Sequence, residues 1–143
     1  MTYATRFAPS PTGPLHIGHA YSALICTTRA QAHGGRFLLR IEDTDLERSK
    51  PEWEALIQED LRWLGLDWEP PILRQSEHFD RYDAALERLV AKGLVYPCSC
   101  SRADIAAAAS APQEGATYGP IYPGTCRGRS MDTRQPGDAL RLD

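Results

Sequence analysis

The segment Arg6-Phe7-Ala8-Pro9-Ser10-Pro11-Thr12-Gly13-Pro14-Leu15-His16-Ile17-Gly18-His19 decides the fold. Alternating residues before Pro9 predict a short strand that the proline stops. The stretch from Ser10 to Pro14 predicts a loop, and the residues from Ile17 to His33 have the composition of a helix. A strand, loop and helix in this order form the junction where α/β folds bind nucleotides, because the free N–H groups of the helix attract phosphate.

The residues after this helix predict a second strand. Gly34 and Gly35 end the helix, and the run from Arg36 to Glu42 then places Phe37, Leu39 and Ile41 on one face. A strand, helix and strand in succession form a βαβ unit with a right-handed crossover. The fold class that we expect is therefore α/β, with a Rossmann-type parallel sheet.

Length and composition narrow the class of protein. The chain has 143 residues, 42% of them hydrophobic, and a formal net charge of −3, so neither a disordered chain nor a general nucleic-acid coat is expected. No apolar stretch approaches the roughly 18 residues that cross a bilayer. The first residues lack the apolar core of a signal peptide, so we expect a cytoplasmic protein without a membrane partner.

The rest of the chain predicts two helices and a strand before a loop-rich region. One helix runs from Pro51 to a stop at Gly65, a second from about Phe79 to Gly93, and the strand covers Leu94 to Pro97. We divide the chain into a Rossmann-type region at 1–97, an insertion at 98–130 that contains the late cysteines, and residues 131–143.

The last residues predict the beginning of another strand. Ala139 to Asp143 alternates after a turn at Gln135 to Asp138, and no sequence follows for this strand to pair with. We therefore expect 131–143 to be the truncated start of a continuing catalytic domain.

Two histidines at the start of the first helix are candidates for phosphate binding. His16 and His19 lie three residues apart on one helical face, and Gly18 allows a flat ring to approach the backbone. The segment is neither a P-loop nor the dinucleotide fingerprint, since the required glycine and lysine spacings are missing. On these residues alone, the histidines could equally cap the helix or pair with carboxylates.

Three late cysteines are candidates for a metal site. Cys98, Cys100 and Cys126 would supply three soft ligands to a tetrahedral zinc ion if a fourth were present, whereas Cys26 stands apart. No histidine follows His78, so the fourth ligand stays open. Three reduced core cysteines are the alternative.

The segment from Arg6 to His19 resembles the HIGH signature of class I aminoacyl-tRNA synthetases, and is most similar to their glutamyl/glutaminyl subgroup. The resemblance implies a class I synthetase catalytic domain in which Gly13, His16, Gly18 and His19 bind ATP. It also implies that His16 and His19 are catalytic.

Ile41-Glu42-Asp43-Thr44-Asp45 extends this resemblance. Within it, Arg6, Ala8, Ser10 and Glu42 are the candidates for binding glutamate, with Glu42 on the ammonium group. A bidentate arginine on the α-carboxylate would weaken it as the nucleophile that attacks ATP. We therefore assign Arg6, helped by Ser10, to the side-chain carboxylate, although contact with the α-carboxylate is the alternative.

Tyr122-Pro123-Gly124-Thr125-Cys126 is similar to the zinc element of the glutamyl-queuosine tRNA(Asp) synthetases. That resemblance implies one zinc ion held by Cys98, Cys100, Tyr122 and Cys126, with Tyr118 as a rival to Tyr122. Zinc-bearing glutamyl-tRNA synthetases end their site in Cys-x-His, whereas Gly128 occupies that position here.

The resemblance further implies a ligase. It would activate L-glutamate with ATP and Mg²⁺ to glutamyl-adenylate without needing tRNA, and then transfer glutamate to the queuosine of tRNA(Asp). The family's KMSKS loop does not occur in these residues, so this chain alone is expected to be an incomplete catalyst. The alternatives are a fragment of an ordinary glutamyl-tRNA synthetase and a non-catalytic zinc-binding RNA module. Nothing in the sequence sets the oligomeric state, and a monomer is the simplest expectation.

Overall fold

A computed structural model describes residues 3–108 and 122–143. The chain forms two compact units, Met1–Phe79 and Asp80–Asp143. The elements in chain order are β1 (Ala4–Phe7), α1 (Ile17–Ala32), β2 (Arg36–Ile41), α2 (Pro51–Trp63), β3 (Glu69–Arg74), α3 (Phe79–Ala91), β4 (Val95–Cys98), α4 (Arg102–Ala108) and β5 (Ala139–Leu142), with short 3₁₀ helices at Gln75–His78 and Met131–Thr133.

The first unit contains a parallel sheet with the strand order β1-β2-β3. Thr5 lies opposite Phe37 and Phe7 opposite Leu39, so the predicted βαβ unit is confirmed. Because the strands are parallel, their carboxyl ends lie together at one end of the sheet. The loop after β1, which holds the predicted site residues Ala8, Ser10, Gly13 and His16, therefore starts beside Glu42.

Strand β3 is an element that the sequence reasoning missed. Its first half contains Pro70 and Pro71, which lack the N–H groups that a strand interior uses. The pairing with β2 is irregular between Leu38 and Arg40, and it becomes regular only where Arg40 meets Leu73. A strand that begins with two prolines is tolerated here because β3 is at the edge of the described sheet.

Small residues let helix α1 lie close to the sheet. Its buried positions are Ala23, Thr27 and Ala30, and the Thr5 hydroxyl donates a 2.7 Å hydrogen bond to the carbonyl oxygen of Cys26. The turn that follows is equally tight. A Cβ added at Gly35 would lie 2.4 Å from the carbonyl oxygen of Tyr3, so only glycine fits there.

The core of the first unit lies between the sheet and its helices. Its buried side chains come from β1, β2, α1, α2 and the turn after α2: Phe7, Ala23, Ala30, Phe37, Leu39, Ile41, Ile57, Leu61 and Leu66. Helix α2 begins at Pro51, as the sequence predicts, and contributes Ile57 and Leu61, both 0% exposed. The apolar periodicity of this helix therefore identified its buried face correctly.

The second unit contains a partner for the strand that the sequence predicts at the last residues. Strand β5 has a partner, because it pairs antiparallel with β4, which precedes it in the chain. Val95 lies opposite Leu142, and Cys98 lies opposite Ala139. The predicted strand is thus confirmed with a partner that precedes it, and the truncated start of a continuing domain stays a prediction.

The three-part division at residues 97 and 130 stays a prediction, and the compact units divide elsewhere, between Phe79 and Asp80. Within the described residues, no helix combines the length and the apolar character needed to span a membrane.

Replacing Leu61 tests the core of the first unit. Leu61→Ala should lower the free energy of unfolding by about 2–5 kcal/mol, because it removes a fully buried side chain and leaves a cavity. Trp63→Ala is the control, since Trp63 lies on the same helix but is 84% exposed. Urea unfolding followed by circular dichroism measures both, and equal losses would contradict this account of the core.

Candidate functional site

The two histidines of the predicted ATP site cap helix α1. The backbone N–H of Gly18 donates to Nδ1 of His16 at 3.1 Å, and the backbone N–H of His16 donates to Nδ1 of His19 at 3.3 Å. The two rings are stacked with their centroids 3.8 Å apart. Since each Nδ1 accepts a hydrogen bond, the neutral rings carry their proton on Nε2. The helix cap and a phosphate donor are therefore compatible roles for the same side chain.

His19 is the more enclosed member of this pair. Partial burial lowers its pKa, and the neighbouring His16 lowers it further. His19 is therefore a neutral hydrogen-bond donor at pH 7, not a cation.

The two glycines of the predicted ATP site differ in their surroundings. A Cβ at Gly18 would lie 3.0 Å from Cε1 and 3.2 Å from Nδ1 of His16, so the glycine makes room for the folded-back imidazole. A Cβ at Gly13 would meet nothing within 4 Å. The structure thus gives a packing reason for Gly18, and the approach of an adenine ring to it stays a prediction.

A cavity of about 470 Å³ opens at the carboxyl ends of β1 and β2. All four predicted glutamate-binding residues line this cavity, together with His19 and with Ser22, which the sequence reasoning missed: Arg6, Ala8, Ser10, Glu42, His19 and Ser22. Gly13, His16 and Gly18 are not among its lining residues. His16 instead borders a separate depression of about 260 Å³ beside Ile17 and Trp63.

The charges in this cavity are unequally compensated. The carboxylate of Glu42 forms an ion pair with Arg40, a residue that the sequence reasoning did not consider. The backbone N–H of Glu42 donates to the carbonyl oxygen of Pro9 at 2.9 Å, which fixes the end of β2 against the loop. Among the described residues, Arg6 forms no ion pair. The cavity therefore offers a cation that is available to a carboxylate.

A second polar contact holds the residues after β3 beside the carboxyl end of β2. Ser76 donates to Asp43 from its backbone N–H at 2.9 Å and from its hydroxyl at 2.5 Å. Burial raises the pKa of Asp43, but the hydrogen bonds from Ser76 outweigh it and hold the pKa below its usual value. The acidic run after β2 thus serves partly to anchor the chain.

The three late cysteines converge in the second unit. The sulfur atoms of Cys98, Cys100 and Cys126 lie within 4.8 Å of one another, with 3.6 Å between Cys100 and Cys126. The phenol oxygen of Tyr122 lies 3.3 Å from the sulfur of Cys98 and 3.9 Å from that of Cys100. It also accepts a 2.8 Å hydrogen bond from the backbone N–H of Cys126.

These separations fit the donor set of a tetrahedral zinc site. Zinc bonds of about 2.3 Å to sulfur and 2.0–2.2 Å to oxygen imply edges of about 3.8 Å between sulfurs and about 3.5 Å between sulfur and oxygen. The cluster could therefore bind a metal with little rearrangement. The rival Tyr118 lies outside the described residues.

Two of the three thiols have the acidity that metal binding needs, whereas the hydrogen bond with Cys126 raises the pKa of Cys100. Burial raises the pKa of Cys98, but interactions with Tyr122 and Arg141 outweigh it and bring the pKa to about 6. A backbone hydrogen bond at Ser99 and the phenol of Tyr122 lower the pKa of Cys126. Since the thiolate is the metal ligand, the lowered pKa of each of these two groups favours coordination.

Comparison with known proteins identifies the family. Residues 2–136 match the family described as tRNA synthetases class I (E and Q), catalytic domain. The chain belongs to this family, in agreement with the parallel sheet and with the histidines at the start of α1.

Similar relatives within this family include both glutamyl-Q tRNA(Asp) synthetases and glutamate–tRNA ligases. It is 60% identical over 139 residues to the glutamyl-Q tRNA(Asp) synthetase of Rhodobacter capsulatus, a match that covers 95% of this chain and 49% of that protein. It is also 59% identical over 102 residues to glutamate–tRNA ligase 2 of Acidiphilium cryptum, covering 71% of this chain and 23% of that protein.

A solved structure agrees with the fold. The glutamate tRNA ligase of Elizabethkingia meningosepticum, crystallised with its amino acid, matches with a TM-score of 0.64 and 37% identity over 76% of this chain and 23% of its own. The chain thus spans about half the length of the glutamyl-Q tRNA(Asp) synthetase it matches, and a smaller part of the glutamate ligases.

The contact between Asp43 and Ser76 predicts a pH-dependent contribution to stability. Because the folded-state pKa of Asp43 is lowered, the contribution is present above the unfolded pKa of about 3.9 and is lost as the pH falls through the folded value. Ser76→Ala should therefore cost about 1–2 kcal/mol at neutral pH, and less in acid.

Ser49→Ala is the matched control, because the Ser49 hydroxyl is buried but has no hydrogen-bond partner among the described residues. Unfolding of the three proteins is measured across acid and neutral pH. A Ser76→Ala deficit that is the same at every pH would show that the ionised carboxylate is not involved.

Proposed function

We propose that this chain supplies the ATP- and glutamate-binding part of a ligase that activates L-glutamate and transfers it to the queuosine of tRNA(Asp). The observation that carries the proposal is the cavity at the carboxyl ends of β1 and β2. Arg6, which has no ion-pair partner among the described residues, faces the same space as Ser10, Glu42 and the Nε2-protonated His19. One cation, one anion and hydroxyl and imidazole donors match an amino acid that has two carboxylates and one ammonium group.

The substrate can be oriented in only one productive way if Arg6 binds its side chain. Arg6 and Ser10 hold the side-chain carboxylate, and Glu42 attracts the ammonium group. The pairing of Glu42 with Arg40 moderates that attraction, so the ammonium shares this carboxylate with a guanidinium. The α-carboxylate then remains without a cation and keeps its strength as a nucleophile.

Activation is an in-line transfer of the adenylyl group. An α-carboxylate oxygen bonds to the α-phosphorus of ATP, the bond from that phosphorus to the bridging oxygen breaks, and pyrophosphate leaves with the electron pair. The Nε2–H groups of His16 and His19 and the N-terminus of α1 donate to phosphate oxygens as charge moves onto them. Mg²⁺ bound to ATP would add charge neutralisation on the same phosphates.

Zinc is the metal that we propose for the cysteine cluster, with Cys98, Cys100, Tyr122 and Cys126 as ligands. Four protein ligands close the coordination sphere, so the ion would supply structural stability to the second unit and take no part in the transfer.

The backbone at Gly128 favours this ligand set over the Cys-x-His alternative. Gly128 has a φ of +84°, a conformation that a histidine at this position would adopt only with strain. This conformation supports a metal site without the Cys-x-His histidine of the zinc-bearing glutamyl-tRNA synthetases. The 60% identity to a glutamyl-Q tRNA(Asp) synthetase supports the same acceptor. An enzyme acting on tRNA with ATP would work in the cytoplasm.

Replacing Arg6 tests the orientation of glutamate. In the intact protein, Arg6→Ala should reduce glutamate-dependent exchange of pyrophosphate into ATP and should also lower the preference for glutamate over glutamine. The exchange assay contains no tRNA. Arg36→Ala is the control, since Arg36 lies at the other end of β2 and pairs with Glu69. A weaker enzyme whose preference for glutamate is unchanged would place Arg6 on the α-carboxylate.

The acceptor is tested with tRNA(Asp) that contains or lacks queuosine, and with tRNA(Glu). Radiolabelled glutamate should be incorporated by the intact protein only into tRNA(Asp) that contains queuosine. Glutamylation of tRNA(Glu) at its 3′ end would establish an ordinary glutamyl-tRNA synthetase instead. No exchange and no incorporation would favour the non-catalytic RNA module.

A further inference from the structure

Two arginines border the cysteine cluster, and they have different partners. Arg129 donates to the Ser99 hydroxyl at 2.7 Å and to the Thr133 carbonyl oxygen at 2.8 Å. It also pairs at 3.2 Å with the buried carboxylate of Asp138, so its charge is balanced. Arg129 therefore links the segment Cys98-Ser99-Cys100 to the residues before β5.

Arg141 faces the cluster without such a carboxylate. Its guanidinium carbon lies 3.9 Å from the centre of the Tyr122 ring, and the guanidinium interacts with the thiol of Cys98. In the part of the chain that the structure describes, Arg141 forms no ion pair with a carboxylate, and its Nε is buried without a hydrogen-bond partner. The groups that compensate this cation are therefore those of the cluster itself.

The pairing of β4 with β5 explains how Arg141 reaches this position. Arg141 lies opposite Tyr96, and Ala139 lies opposite Cys98. Residues two apart on a strand share a face, so Arg141 and Cys98 are diagonal neighbours on the same face of this two-stranded sheet. A shift of one residue in the register would turn the guanidinium to the other face.

We propose that Arg141 is a positioning residue of the metal centre, which stacks on Tyr122 to hold its phenol at the fourth corner and balances the charge that the metal leaves. Three thiolates, one neutral phenol and one Zn²⁺ leave one negative charge, and Arg141 supplies one positive charge. Arg129 also interacts with the thiol of Cys126, but the buried carboxylate of Asp138 neutralises its charge. The inference rests on the zinc centre proposed above.

Three variants of the full chain test this role. Arg141→Met removes the charge and the planar face, whereas Arg141→Lys keeps the charge alone. Arg127→Met is the matched control, because Arg127 directly follows Cys126 but its side chain pairs with Asp143 at 2.7 Å. Zinc affinity is measured by competition with a chromophoric chelator, and circular dichroism of each metal-free protein checks that it folds like the wild type.

Arg141→Met should bind zinc about 10–100-fold more weakly than the wild type, which is the range for partners of metal ligands. Arg141→Lys should fall between the two, and Arg127→Met should equal the wild type. In the cobalt-substituted proteins, the absorption bands should change for both Arg141 variants, because the phenol is no longer held in place. If Arg141→Met does not fold, the affinity and spectrum of Arg141→Lys decide the question.

Two results would overturn different conclusions. A wild-type chain that binds less than about one zinc ion would overturn the metal centre itself. A wild type that binds one zinc ion, with Arg141 variants unchanged in affinity and cobalt spectrum, would overturn only the role of Arg141.

Discussion

The close approach of helix α1 to strand β1 is the constraint on which the first unit depends. The Thr5 hydroxyl reaches the carbonyl oxygen of Cys26 at 2.7 Å, and Gly35 turns where any side chain would strike the Tyr3 carbonyl. These contacts bring the chain back so that β2 runs parallel to β1. Because the two strands then end at the same edge, Arg6 and Glu42 face one cavity although 35 residues separate them.

The second unit depends in a similar way on one pairing, between β4 and β5. The antiparallel register sets the last residues against the strand that ends in Cys98. Strand β5, at the end of the given sequence, therefore supports the cysteine cluster. Arg141 lies on this strand, and Arg129 pairs with Asp138 just before it. The cluster therefore has two cations at its border.

Patterns that are local in sequence were the most predictable. The periodicity of α2 gave its buried face, and the loop and helix after β1 gave the predicted site. Pairings made at a distance were harder. Strand β3 was not predicted, because Pro70 and Pro71 argue against a strand unless it is known to lie at the edge of a sheet. Arg40 and Ser22 carry no motif of their own, and only the fold shows that Ser22 lines the cavity and that Arg40 pairs with Glu42. The partner of β5 lies 41 residues upstream, counted from Cys98 to Ala139, beyond the reach of a local pattern.

The capping of α1 by its own histidines has an entropic consequence. The stacked rings of His16 and His19 are each tied to backbone N–H groups before any ligand arrives. Immobilising a free, flexible side chain on binding costs about 0.5–1.5 kcal/mol. For these two imidazoles that loss of freedom is incurred during folding, so the phosphates of the proposed ATP site would meet donors that are already oriented. The helix cap would thus preorganise that proposed site as well as stabilise the helix.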